Sequence, residues 1–327
     1  MTIKGEATID FGEISNVTLK VGDKAISEVT AVPFSYDYTF EANQAEGALK
    51  IELTVKGDQG TMATSEVNIT LTKPEPTPEP GEGEMVDSRD NHVYKTVEIG
   101  EQTWMAENLA YLPKVNKPAA AATCEGEPLY FVYDYDGEDV NAAKNTETYK
   151  TYGVLYNWYA AMNKENEEGK DADAVPSGVQ GICPSGWHLP SKAEWKILEN
   201  FVAEQLPPVE GDVWEDDFGD KHSDPNCKNV WSALAGLEGW GASGNSDMNP
   251  DLANGPRNTY GLTVIPSGQC YQTGSFGWSE SGADFWTTEM QSQGAGNITF
   301  SNNSYGITYS KYGITPKRGF PIRCIKD

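Results

Sequence analysis

The chain has 327 residues, enough for two domains of ordinary size. Its 49 acidic residues against 24 basic ones give a formal net charge of −25, which argues against nucleic acid or anionic lipid as a partner, since both need clustered Lys and Arg. No apolar run approaches the roughly 20 residues of a membrane helix, so direct membrane insertion by a helix is not expected.

Met1-Thr-Ile-Lys-Gly5 lacks the charged and apolar regions of an export signal. The expectation is a start downstream of a removed leader, with any lipid anchor carried by the uncut precursor. Alternating apolar and polar residues then mark strands at Glu6–Phe11, Val17–Val21, Phe34–Phe40, Leu49–Val55 and Val67–Leu71. Five or more strands within residues 1–73 predict a small Ig-like β-sandwich, without the Cys and Trp of antibody domains. It carries no catalytic constellation and reads as a spacer. Residues 74–84 follow as a Pro/Glu linker, in a run with four prolines that cannot bury a core.

All nine tryptophans and all five cysteines lie beyond this linker, in residues 85–327. Tyr94–Trp104 predicts a hairpin turning at Gly100-Glu101. Leu155, Trp158, Tyr159 and Met162 have helical spacing, which predicts a helix across Gly153–Met162. Ser191 and Glu194 fit a capping box that opens a second helix, with Trp195, Leu198, Phe201 or Val202 on its apolar stripe. A short helix over Val230–Leu237 precedes Gly/Ser/Asn-rich loops. The end is strand-rich, at Leu262–Ile265, Asp284–Thr288, Ile298–Phe300, Tyr305–Tyr309 and Phe320–Ile325. The second domain is therefore α+β.

Five blocks in order carry a resemblance. They are Thr96-Val-Glu-Ile-Gly-Glu-Gln-Thr-Trp-Met-Ala-Glu-Asn-Leu109, Tyr152–Met162, Gly181-Ile-Cys-Pro-Ser-Gly-Trp-His-Leu-Pro-Ser191 with Glu194-Trp195, Phe285-Trp-Thr-Thr-Glu289, and Gly319-Phe-Pro-Ile-Arg-Cys-Ile-Lys-Asp327. Over about residues 85–327 the chain resembles the Fibrobacter succinogenes major paralogous domain, common in exported proteins of the Bacteroidetes. The resemblance implies a fold similar to C-type lectins and to the formylglycine-generating enzymes, with paired terminal strands and a long binding loop. It carries over no biochemical activity. In such a fold Cys183 and Cys324 are neighbours, which implies a Cys183–Cys324 disulfide closing a loop of about 140 residues. Cys227–Cys270 is a further guess, and Cys124 lacks the nearby cysteine of some relatives. A disulfide fits an oxidising compartment, so the expected location is extracellular or the outer-membrane surface, with the periplasm as the alternative.

Catalysis has little support. His92, His188 and His222 have no zinc-type spacing, and there is no Gly-x-Ser-x-Gly elbow and no phosphate loop. His188 reads as a packed, hydrogen-bonded histidine. Asp134, Asp136 and Asp139 alternate around a glycine turn and are the candidate calcium ligands, although the signatures of calcium-dependent sugar lectins are missing. Aromatics in loops are harder to assign to a core, so Trp214, Trp240, Tyr271, Phe276 and Trp278 are the candidate ligand contacts. The expected function is cell-surface binding or adhesion, recognising glycan or a surface protein through the loop face. A structural surface component such as a fimbrial subunit, and then a secreted hydrolase, are the alternatives.

Overall fold

The computed structural model describes residues 2–8, 13–39, 47–71, 78–163, 171, 173–206, 214–215, 221–222, 227–241, 257–302 and 306–327. The chain divides into two compact units, Met1–Pro76 and Thr77–Asp327. Strand outweighs helix across it, 37% against 15%.

The first unit has β1 (Thr2–Gly5), β2 (Ile14–Val21), β3 (Lys24–Ile26), β4 (Phe34–Asp37), β5 (Gly47–Gly57) and β6 (Met62–Leu71). They form a four-stranded sheet, β3-β2-β5-β6, and a two-stranded sheet, β1-β4. The alternation of Val17, Leu19 and Val21 with polar neighbours turns these three into the core, where they meet Ile3, Ile26, Leu49 and Val55. The strand expected at Glu6–Phe11 sits earlier. Thr2-Ile3-Lys4 is the alternating stretch that pairs with β4, Glu6–Thr8 are irregular, and Ile9–Phe11 lie outside the described residues.

The second unit opens with β7 (Glu84–Asp87), β8 (His92–Ile99) and β9 (Gln102–Met105). Gly100 at φ +64° lets the two-residue turn close with Ile99 opposite Gln102, as the hairpin reading expects. Next come α1 (Ala120–Thr123), β10 (Tyr130–Phe131), α2 (Val140–Lys144), α3 (Glu147–Tyr152), β11 (Leu155–Tyr156) and α4 (Trp158–Met162). The helix predicted from Gly153 thus begins only at Trp158. Asn157 stops it from starting sooner, because its side chain accepts from the amides of Ala160 and Leu129 and fixes an N-cap there. Leu155 consequently pairs in a strand.

The remaining elements are β12 (Trp187–His188), α5 (Lys192–Gln205), β13 (Trp214–Glu215), β14 (Lys221–His222), α6 (Cys227–Leu234), β15 (Ser267–Cys270), β16 (Phe276–Ser279), β17 (Gly282–Gln291), β18 (Gly294–Ser301), β19 (Ile307–Tyr309) and β20 (Ile325–Lys326). Helix α5 carries the expected capping box, and it buries Trp195, Leu198 and Val202. Helix α6 ends three residues before the predicted Leu237, because Ala235 leaves the helix to bridge Val264.

Two five-stranded sheets organise this unit, β12-β20-β9-β8-β7 and β16-β15-β17-β18-β19. The last strand, β20, lies between β12 and β9, so the two ends of the unit meet in one sheet. The Cys183–Cys324 disulfide fastens the same junction, with Cα atoms 6.0 Å apart. Cys270 is a free buried thiol, which removes Cys227–Cys270 as a pair. It packs with Cys124, also free, and with Phe131 and Leu155.

The blocks that carried the resemblance are tied to one another. Arg323 is buried and donates to Asn108 Oδ1 (2.9 Å) and to the carbonyls of Met105, Leu262 and Thr263. The Trp158 indole donates to Thr287 O (3.2 Å), and the Trp286 indole to Tyr156 O (2.7 Å). His188 lies between Glu194 Oε1 (2.9 Å from Nε2) and Asp327 Oδ1 (2.7 Å from Nδ1). These residues satisfy buried polar groups and hold the framework.

Candidate functional site

The second of these sheets has two chemically different faces. Strands β17 and β18 pair antiparallel across the turn at Ser292-Gln293, with Asp284 opposite Thr299 and Phe285 opposite Ile298. Strand β19 continues the ladder, with Thr308 opposite Thr299 and Tyr309 opposite Ile298. The period of two then sorts the side chains. Ala283, Phe285, Ile298, Phe300, Ile307 and Tyr309 join the core that holds Trp195 of α5 and Trp231 of α6. Asp284, Asn297, Thr299, Thr308 and Ser310 share the opposite face.

That polar face floors a cavity of about 600 Å³. Its walls are Tyr271 and Trp278 on one side and Lys311–Ile314 on the other, with Gln269 and Arg318 among the lining. Two glycines let the aromatic rings lie against backbone. A Cβ on Gly277 would sit 2.6 Å from the Tyr271 ring, and one on Gly282 would sit 2.8 Å from the Trp278 ring. Trp278 has φ +69° and Glu280 φ +68°, a left-handed backbone that bulky residues rarely adopt and that clusters at ligand clamps. The Trp278 side chain is partly open to solvent, at 36% exposure.

Asp284 is buried at the floor. Thr299 Oγ1 (2.5 Å) and Asn297 Nδ2 (2.9 Å) donate to its Oδ1, and Gln269 Nε2 approaches Oδ2 at 3.4 Å. Burial pushes its carboxyl up to about 6, against the pull of these donors and of the Arg318 charge. Arg318 donates to Gln272 Oε1 (2.8 Å) and Gln269 Oε1 (3.0 Å), and its guanidinium lies 5.3 Å from the Tyr271 ring centre. Asn297 Oδ1 and Ser310 Oγ are buried atoms with no hydrogen-bond partner among the described residues. Such a row of buried polar groups costs stability unless something completes its hydrogen bonds.

Of the aromatic candidates, the structure brings Tyr271 and Trp278 together at this cavity. Phe276 points elsewhere, packing on Tyr133 with ring centres 5.2 Å apart. Trp240 is a core residue and not a ligand contact. It is 9% exposed and stacks edge-on against Trp231, because the segment after α6 folds back over the helix. The Trp214 side chain lies outside the described residues. The acidic turn does not assemble into a ligand set. Asp134 and Asp136 are exposed, Asp139 Oδ1 caps α2 by accepting from the amides of Asn141 (2.8 Å) and Ala142 (3.0 Å), and among the described residues no three His, Cys, Asp or Glu side chains are grouped to hold a metal.

Sequence reasoning missed Asp284, Asn297, Thr299, Gln269 and Arg318. A signal existed in Gly296-Asn-Ile-Thr-Phe-Ser301, where polar and apolar residues alternate in a strand buried on both faces.

Residues 97–326 match the family model of the Fibrobacter succinogenes major domain. The chain belongs to that family. The Fibrobacter succinogenes major domain thus covers the second five-stranded sheet with its Asp284 cavity and the first from the end of β8 onward, and it leaves out β7 and the first unit. No curated protein and no solved structure matches the chain.

Proposed function

We propose that this chain is an exported cell-surface binding protein that recognises carbohydrate through the Asp284 cavity. The observation that carries the reading is the pairing of two partly open aromatic walls with a buried polar floor whose hydrogen bonds are incomplete. Aromatic faces cover the apolar side of a sugar ring while planar polar side chains meet its hydroxyls. The cavity also has the size of a small-molecule pocket. The pairing of the last strand with the opening β7-β8-β9 ladder through β9, the two main helices and the irregular segments around the second sheet support a C-type-lectin-like assignment for the second unit. The two sheets of the first unit support an Ig-like sandwich acting as a spacer. The disulfide supports an oxidising, extracellular or outer-membrane location.

The test is an immobilised glycan array probed with the full chain. Binding is expected to a subset of glycans and to fall by about tenfold or more in Tyr271→Ala and Trp278→Ala variants that keep the wild-type melting temperature. A silent array, or binding untouched by both variants, overturns the reading.

A further inference from the structure

The floor of the cavity offers a sharper statement about the ligand, and it rests on the carbohydrate reading. Among the described residues three floor side chains have spare capacity: Ser310, whose hydroxyl can donate or accept, and the pair Asn297 and Asp284, whose open positions are acceptors. Asn297 Oδ1 has no partner among the described residues, and Asp284 Oδ2 has only the long contact from Gln269. The side chains of this pair are adjacent, since Asn297 Nδ2 donates to the other oxygen of Asp284 at 2.9 Å. Asn297 and Asp284 are 3% and 5% exposed, so neither acceptor is readily completed by bulk water.

We infer that this floor takes two neighbouring hydroxyl groups of a neutral sugar, each donating to one of these acceptors, and discriminates against acidic sugars. A carboxylate or sulfate would set acceptor against acceptor in a dry site. The nearest cation, Arg318, is held by Gln272 through Nε and by Gln269 through Nη1, and its charge already acts on Asp284. Lys311, the other cation of the lining, is exposed. An overall charge of −25 also disfavours the approach of anions. An amino sugar fits less well than a diol, because the Arg318 charge already acts on Asp284 and the Asn297–Asp284 pair offers one open acceptor to each of two groups.

The experiment compares neutral, amino-bearing, uronic-acid and sialylated glycans on the array, then follows the best neutral methyl glycoside by calorimetry. Wild-type protein is measured against that glycoside and its single-deoxy analogues. Removing either hydroxyl of one neighbouring pair is expected to weaken binding by roughly tenfold or more, because it leaves a buried acceptor unmet. Asp284→Asn, which replaces an acceptor with a donor, is expected to lose a similar factor. The deoxy series needs no variant, so the inference stays testable even if Asp284→Asn fails to fold. Stronger binding of acidic or amino-bearing glycans than of their neutral parents overturns the inference and leaves the carbohydrate reading standing. So does a folded Asp284→Asn protein with unchanged affinity. A silent array overturns both.

Discussion

A histidine and an aspartate illustrate how the environment of a residue decides its role. Burial alone would pull the His188 imidazolium down, but the hydrogen bonds and charges of Glu194 and Asp327 outweigh it and hold the group above its ordinary 6.5. A raised pKa in the folded state contributes stability that is fully present below the unfolded value and is lost as pH rises through the folded one. Wild-type protein should therefore melt at a lower temperature at about pH 8.5 than at about pH 6, by an increment that His188→Gln lacks. Parallel melting curves across that range for the two proteins would refute this account. Asp284, also raised, acts in a separate window, between 3.8 and about 6, so the two contributions are distinguishable. His188 is recognisable in sequence as a structural histidine from its motif. Asp284 is not recognisable, because nothing local separates it from the chain's other 48 acids.

At the scale of elements, α5 shows how much local chemistry can specify. Ser191 Oγ accepts from the Glu194 amide, Glu194 Oε2 accepts from the Ser191 amide at 2.8 Å, and the same hydroxyl donates to Ala174 O at 2.5 Å. Ser191→Ala should cost about 1–2 kcal/mol in denaturant unfolding, with Ser191→Thr recovering most of it. A loss below about 0.3 kcal/mol would mean that packing of Trp195 and Leu198 alone holds the helix. The capping box and the Gly100 turn were readable because all their partners lie within a few residues. Helix α4 was misplaced because its cap, Asn157, is fixed partly by Leu129, 28 residues away. The helical spacing of Leu155 and Trp158 came from two elements that bury neighbouring side chains.

For the whole molecule, the Cys183–Cys324 bond spans 141 residues and joins the segment before α5 to the last strand. Constraint of the unfolded chain by so long a loop is worth about 4–5 kcal/mol. All nine tryptophans belong to the second unit, so their fluorescence follows its unfolding without signal from the first. A Cys183→Ser, Cys324→Ser double variant should shift that transition to lower denaturant by a corresponding amount. A shift equivalent to less than about 1 kcal/mol would show that the β12-β20-β9 pairing is sufficient by itself.

Taken alone, the sequence determined the strand-rich character, the hairpin, the capped helix, the family and, through that family, the disulfide. Each depends on short-range patterns, or on motifs whose order along the chain is itself the signal. Tertiary structure decided which tryptophans are core and which face a cavity, since Trp240 and Trp278 stand in similar Gly/Ser-rich surroundings and differ only in what packs over them. It also decided the polar floor. Asp284, Asn297 and Arg318 come from separate segments, and strand pairing, which no local pattern encodes, is what brings them to one face.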